Sequence, residues 1–390
     1  MEYDFLNIRS ILIFICILQG LIFAGLLVNR GIKQRTKADL WLALLLVVLS
    51  SSLITPFIGF ANVYDLNQWL TYFPFSISYL PPVLVWFYVL SLTNSQWKLT
   101  RKDLLYLIPT AVYLVFRFTI FFQSEAWKGW FDGAYYRPVI GPLVFATEFA
   151  WSVLLLFWSI RHYRKYRNWL DENFSDTEKI KFDWLRNFLY TFSAILLLGA
   201  LFDFTNSFLF RLSYIQYFYF EVVLALSTYY LAVAGYLRSK TIDLTFSDAP
   251  AKATESRRSL LSDNELERLK EKLQAVMRDE RPYLEPTITL TDLTRIVGVN
   301  SNVLSHAINQ GFDKNFNDFI NEYRINEVKS KLRDADESSL LAIAFDSGFN
   351  SKATFQSISE NATNPQLKKE AEGKLQMVIE EEKKNSKIDG

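Results

Sequence analysis

Seven long apolar runs before Arg238 constrain this chain more than any other feature. They lie at about residues 10–29, 38–60, 72–93, 104–123, 138–160, 185–211 and 213–237. A helix crossing the hydrocarbon core of a bilayer needs roughly 20 mostly apolar residues, and it must pair all of its backbone polar groups internally. A helix in the core of a water-soluble domain is shorter and keeps a polar face. "ILIFICILQGLIFAGLLV" and "LWLALLLVVL" keep none. Residues 1–238 therefore read as a seven-transmembrane-helix bundle. The first run is not a cleaved leader by its pattern. It is too long, it follows the acidic "MEYDFLNIR", and no small-residue cleavage site comes after it.

Lysine and arginine set the direction of such a bundle, because connections rich in them stay in the cytoplasm. Arg30, Lys33, Arg35 and Lys37 follow the first run. Lys98, Arg101 and Lys102 follow the third. Arg161, Arg164, Lys165, Arg167, Lys179 and Lys181 follow the fifth. The alternate connections are poor, with none in 61–71, Lys128 and Arg137 in the next, and Arg211 in the last. The amino terminus is expected outside and everything after Arg238 inside. Pro81 and Pro82, in the middle of the third run, are expected to kink it. His162, in the basic connection, is expected at lipid headgroups.

Composition removes several functional classes. The net charge is +1, so the whole chain lacks a polyanion-binding excess. One cysteine, Cys16, allows no disulfide framework. That cysteine with His162 and His306 makes a poor zinc set, and no metal or cofactor is expected. No phosphate-cradling glycine loop, H-E-x-x-H or G-x-S-x-G occurs, so the chain does not read as an enzyme.

Beyond Arg238 the composition turns polar. "SKTIDLTFSDAPAKATESRRS" reads as a linker over 239–262. "SDNELERLKEKLQAVMRDE" reads as a capped amphipathic helix with Leu266, Leu269, Leu273, Val276 and Met277 on one side. Pro282 and Pro286 stop it. Two similar units follow. In the first, a helix with Leu290, Leu293 and Val297 ends at Gly298, and Asn300 or Ser301 caps the next. In the second, Ala344 precedes Gly348 by four residues, Phe349 follows, and Asn350 or Ser351 caps the next. A small residue lets two helices cross closely, and glycine takes the backbone angle of a tight turn. "NFNDFINEYRINEVKSKLRD" between the units carries Phe316, Phe319, Ile320, Tyr323 and Val328 on one stripe, and reads as a connecting helix.

Over about 285–358 this arrangement resembles the AraC/XylS family of transcription regulators, with "FNDFINEYRINEVKSKL" and "LLAIAFDSGFNSKATF" especially close. The resemblance implies a DNA-binding domain over 263–365, followed by a charged tail over 366–390. It also implies that helices Ser301–Gln310 and Ser351–Ser359 enter successive major-groove segments. The side chains then able to reach bases are Ser301, Asn302, Ser305, His306 and Asn309 in the first, and Ser351, Lys352, Thr354 and Gln356 in the second. Leu304, Ile308, Phe355 and Ile358 would point into the core, and Arg295, Lys314, Arg324, Lys329, Lys331 and Lys352 would supply positive charge. The chain departs from the family where Thr294 replaces alanine. It departs again where "SISENATNPQLKKE" replaces an aromatic, basic residues and a Thr-Gly-x-Thr-Pro turn. Residues 263–365 also carry more acids than bases.

Arg117, Glu148, Asp203 and Glu221 lie inside apolar runs. Ionisable groups are costly in lipid and face the bundle interior, where they pair or bind something. All four fall between the outer surface and the midplane, below "SEAWKGWFDGAYYR" of the outer connection 124–137. Two readings stay open: an ion pair around Arg117, or a pocket open to the exterior for a polar or cationic small molecule.

The expected function is a membrane-embedded one-component transcription regulator, with the lipid bilayer, promoter DNA and an extracytoplasmic ligand as partners and a homodimer as an assembly to consider. It requires a chromosome and a membrane in one compartment, hence a bacterial inner membrane. The rival is a transporter or receptor whose C-terminal domain is a regulatory or interaction module with decayed DNA binding. No inverted repeat and no conspicuously short or broken span favours that rival.

Overall fold

The computed structural model describes residues 7–63, 67–177, 180, 182–210, 212–238, 246, 261–334 and 340–361. Several residues invoked above lie outside this set. They are the leader up to Leu6, Lys179, Lys181, Arg211, most of the linker and the tail from 366; the side chains of Ser359 and Glu360 are likewise not described. The described residues are all-α, with no strand among them. Contacts divide the chain into two compact units: residues 1–165 with 182–247, and residues 166–181 with 248–390.

The first unit holds α1 (Ile8–Gln34), α2 (Lys37–Ser52), α3 (Ile54–Phe60), α4 (Leu80–Thr93), α5 (Ile108–Phe121) and α6 (Glu125–Phe131). It also holds most of α7 (Gly141–Asn173), then α8 (Asp183–Phe204) and α9 (Tyr214–Arg238). Among the described residues, six helical stretches are long and apolar enough to cross a membrane: Ile8–Gln34, Lys37–Phe60, Asp103–Phe121, Glu125–Asn173, Asp183–Leu209 and Ile215–Leu237. Their lipid-compatible character shows on α1, where Ile11, Phe14, Ile15, Leu18 and Ile22 are exposed while Ile13, Ile17, Ala24 and Leu27 are buried.

The third apolar run forms a shorter helix than its sequence suggests. Pro81 and Pro82 do not kink the middle of a span; they occupy the first turn of α4. Proline has no N–H to donate, so it is tolerated where a helix begins and disruptive where one continues. α4 thus keeps 14 residues, about 21 Å at 1.5 Å per residue, against roughly 30 Å of hydrocarbon. Residues 71–79 before it are non-helical, and Tyr79 takes a left-handed φ of 66°.

A second difference is the connection 124–137. It is helical from Glu125, with Ser124 capping Trp127, and it continues through wide π turns over Asp132–Ile140 into α7. Pro138 sits within those turns, and a wider turn accommodates a residue that cannot donate to the ladder.

Small residues set the closest helix crossings of this unit, as membrane bundles require. A β-carbon on Gly20 of α1 would strike Ser50 of α2, and one on Gly235 of α9 would strike Leu42 of α2. Arg30 pairs with buried Asp39 at 2.7 Å and donates to the Tyr236 carbonyl, tying together neighbouring ends of α1, α2 and α9. His162 is buried rather than at the headgroups. Its Nε2 lies 2.9 Å from the Thr93 hydroxyl and its ring meets Trp86 and Phe246 edge-on.

The second unit contains α10 (Asp263–Asp279), α11 (Leu290–Val297), α12 (Ser301–Phe312), α13 (Phe316–Asp334), α14 (Leu340–Asp346) and α15 (Lys352–Asn361). Ser262 and Glu265 form a reciprocal capping box at the start of α10, and Thr289 and Asp292 form another on α11. The stripe of α13 divides between two cores. Phe316, Phe319 and Ile320 join Leu273, Met277, Leu293, Leu304 and Ile308. Ile325 and Val328 join Ile343, Ala344, Phe349 and Phe355. One rigid helix therefore fixes both helix pairs.

Candidate nucleic-acid interface

Each helix pair turns on a glycine in the left-handed region, Gly298 at φ 74° and Gly348 at φ 93°. At the first, the N–H groups of Gly298 and Val299 both donate to the Thr294 carbonyl, and Lys272 of α10 donates to the Val297 carbonyl at 2.6 Å. A cation there satisfies an orphan carbonyl and opposes the negative end of α11. Thr294 fits in place of alanine because its hydroxyl donates to Thr291 O at 2.6 Å. At the second, Phe349 N–H donates back to the Ala344 carbonyl, with Ala344 fully buried at the crossing.

The caps resolve unevenly. Asn300 caps α12 by accepting from Val303 N–H at 2.9 Å. Ser351, not Asn350, caps α15, accepting from Thr354 N–H at 3.0 Å. The hydroxyls of Ser351 and Thr354 also bond each other at 3.0 Å.

On α12, Ser301 and Asn302 are exposed, and Ser305, His306 and Asn309 are half-buried. Asn309 donates to the Ser305 hydroxyl at 3.4 Å. On α15, Lys352, Thr354 and Gln356 are half-buried, as is Ser351 before it. Leu304, Ile308 and Phe355 are buried and Ile358 packs on the second core, as their spacing required.

Positive charge is thinner than the sequence suggested. Arg324 is fully buried and cannot face phosphate. Its Nε donates to Tyr283 O at 2.8 Å, and its Nη2 to Glu285 O at 2.8 Å and Pro286 O at 3.3 Å. Its guanidinium lies 5.9 Å from the centroid of Phe349, so it braces the second turn from inside. Burial lowers it to about 10, while nearby Asp176 and Glu285 favour the charge. Lys314 pairs with Glu322, Lys331 with Glu327 and Asp346 O, and Arg295 with Asp292. Arg295, 76% exposed on its side chain, extends furthest into solvent.

Two helix pairs, each with a capped second helix and a glycine turn, and one connecting helix shared by their cores, define a helix-turn-helix DNA-binding domain. Residues 293–363 match the family model of a helix-turn-helix domain, of the AraC type. No curated protein and no solved structure is significantly similar to the chain.

In the first unit the four ionisable residues within apolar runs separate into two groups. Arg117 lies over the Tyr72 ring, 4.8 Å from its centroid, and interacts with Tyr136. Among the described residues it forms no ion pair with Glu148, Asp203 or Glu221. Glu148 accepts from Tyr79 N–H at 3.4 Å, and Asp203 accepts from Tyr217 OH at 3.3 Å. Asp203 is within Coulombic reach of both Glu148 and Glu221. A cavity of about 390 Å³ nearby is lined by Tyr79, Ile108, Val112, Tyr113, Phe116 and Thr147 among others, and by none of the four.

Sequence reasoning missed residues 173–177. They belong to the second unit, where Phe174 pairs with Thr289 in an antiparallel bridge and Ser175 is fully buried. The apolar Phe174 and Ile180 within a polar, basic connection are the signal that could have marked them.

Proposed function

We propose that the chain is a membrane-embedded one-component transcription regulator without catalytic activity. The observation that carries this reading is the coexistence, in one chain, of six helices able to cross a membrane and an AraC-type helix-turn-helix domain. The lysine and arginine asymmetry supports an amino terminus outside and the DNA-binding domain in the cytoplasm. Direct contact between such a domain and DNA needs a chromosome beside the membrane, which points to a bacterial inner membrane.

Glu148, Asp203 and Glu221 are the candidate sensing cluster. Three acids apart from the one base suit a cationic or polar ligand reaching them from outside. Binding shifts the cytoplasmic domain only as far as the ligand prefers one arrangement of the helices. Chromatin immunoprecipitation of the full-length protein tests the reading. Enrichment of discrete promoter fragments supports it, and uniform background across the chromosome would falsify it.

The short α4 favours a second reading, a transporter with a C-terminal interaction module, because short or interrupted helices build midplane substrate sites. Substrate uptake into vesicles containing the purified chain, with no promoter enrichment, would select that reading instead.

A further inference from the structure

The strap Asn173–Thr177 is held by the DNA-binding domain through the main chain at Ile288 and through side chains of α13 and of the turn before α15. Ser175 donates to the Ile288 carbonyl through both its backbone N–H, at 3.3 Å, and its hydroxyl, at 2.8 Å. Asn317 of α13 donates to the carbonyls of Phe174, at 3.0 Å, and Ser175, at 2.8 Å. Asn321 adds a bond to Ser175 O at 3.3 Å, and Arg324 reaches the Ser175 hydroxyl at 3.2 Å. In the turn before α15, Asn350 donates to Asp176 at 2.9 Å. Asn321, Arg324 and Ser175 are all essentially without solvent exposure. Buried polar groups are costly when unpaired, and the strap supplies acceptors to Asn317, Asn321 and Arg324 beside those they find within the domain.

We propose that the crease formed by Ile288, Asn317, Asn321, Arg324 and Asn350 is a docking site for the strap Asn173–Thr177, and that the docked strap restrains DNA binding by the second helix pair. The inference rests on the DNA-binding reading above and adds its control. Asp176 is bonded to the residue immediately before the Ser351 cap of α15. The amino end of a recognition helix is where base contacts are made, and helix amino ends also receive backbone phosphates. A carboxylate held there repels phosphate, and Asn350, once engaged, is unavailable to DNA. The strap is also covalently continuous with α7, which carries Glu148. A shift of that helix along its axis pulls directly on Phe174–Asp176.

The test uses the full-length protein in membranes and a randomised duplex DNA pool as probe. Asp176→Cys with Asn350→Cys, in a Cys16→Ser background, is treated with a short reducible bis-thiosulfonate reagent. An intrachain crosslink is expected, with DNA retention lower in the crosslinked protein than after reduction. Asn317→Ala removes two strap bonds and should raise DNA retention about tenfold. If that variant fails to accumulate in the membrane, Ser175→Gly with Asp176→Ala removes the strap's own side-chain bonds to Ile288, Arg324 and Asn350 while leaving every residue of the two helix pairs unchanged. Absence of the crosslink, or equal DNA retention by the crosslinked, reduced and strap-released proteins, overturns the inference while leaving the DNA-binding reading intact if the parent retains DNA. Failure of the parent and of every released variant to retain DNA overturns the proposed function itself.

Discussion

Gly348 lies so close to the main chain at Tyr283 that a β-carbon on it would stand 2.3 Å from the Tyr283 carbonyl oxygen. The same atom would be 3.0 Å from Arg324 Nε, and φ at Gly348 is already 93°. At Gly298 a β-carbon would meet nothing within 4 Å, so only its φ of 74° demands glycine. Two glycines in the same sequence grammar therefore do different work. Gly298→Ala should destabilise its helix pair by about 1–2 kcal/mol, the cost of a left-handed alanine. Gly348→Ala should cost more than about 3 kcal/mol, because backbone must also move. Hydrogen exchange of the full-length protein reads the difference as lost protection across 340–361. Equal effects at the two positions would contradict this geometry.

Arg324 supplies the second prediction. Arg324→Leu leaves the carbonyls of Tyr283, Glu285 and Pro286 without their donor, a loss of about 2–4 kcal/mol. Arg324→Lys keeps the charge but not the planar fork and should recover only part of that. The guanidinium, lowered only to about 10, stays protonated in both folded and unfolded chains below about pH 9. Its contribution should therefore be flat from pH 6 to 8. Thermal melts monitored across that range, with the variants compared to the parent, check both statements.

The exposed and half-buried polar side chains of α12 should dominate specificity. Asn302 and Asn309 can each read adenine with two bonds, worth about 1–3 kcal/mol of discrimination, and Asn302 is exposed. On α15, Ser351 and Thr354 already bond each other. Asn302→Ala with Asn309→Ala should relax operator preference more than Lys352→Ala with Gln356→Ala. Binding across a set of operator variants ranks the two pairs, and the reverse order refutes the assignment.

Asp203→Asn and Glu221→Gln should alter reporter output without lowering the amount of protein in the membrane. Both acids sit on the last two long apolar helices, within reach of each other and, through Asp203, of Glu148. Tyr217→Phe, which removes the hydroxyl bonded to Asp203, should change output in the same direction. Parental responses from all three variants would assign these groups a structural role and place sensing elsewhere.

Reporter fusions at residues 65 and 170 should give opposite signals, the first outside and the second inside, from the lysine and arginine distribution. Equal signals would require a different number of crossings. The short α4, at 14 residues, is the element where the count would fail.

Much of this architecture was legible from residue patterns because the forces behind it are local or repetitive. Apolar runs without a polar face demand lipid or burial wherever they occur. The caps at Ser262 and Asn300, and the turns at Gly298 and Gly348, depend on a few neighbouring residues, so their chemistry shows in the sequence. The stripe Phe316, Phe319, Ile320, Tyr323 and Val328 follows from helical spacing. What depended on distant partners did not show. Pro81 and Pro82 read equally well as a kink or a helix start, and only the chain before Tyr79 decides between them. Arg324 looks like a phosphate contact until the carbonyls of Tyr283 and Glu285, some forty residues away, close around it. Ser175 lies about 150 residues from Arg324 and looks like any polar residue in a connection. Its burial arises from tertiary packing, which sets which polar groups lose water and must find partners in the fold.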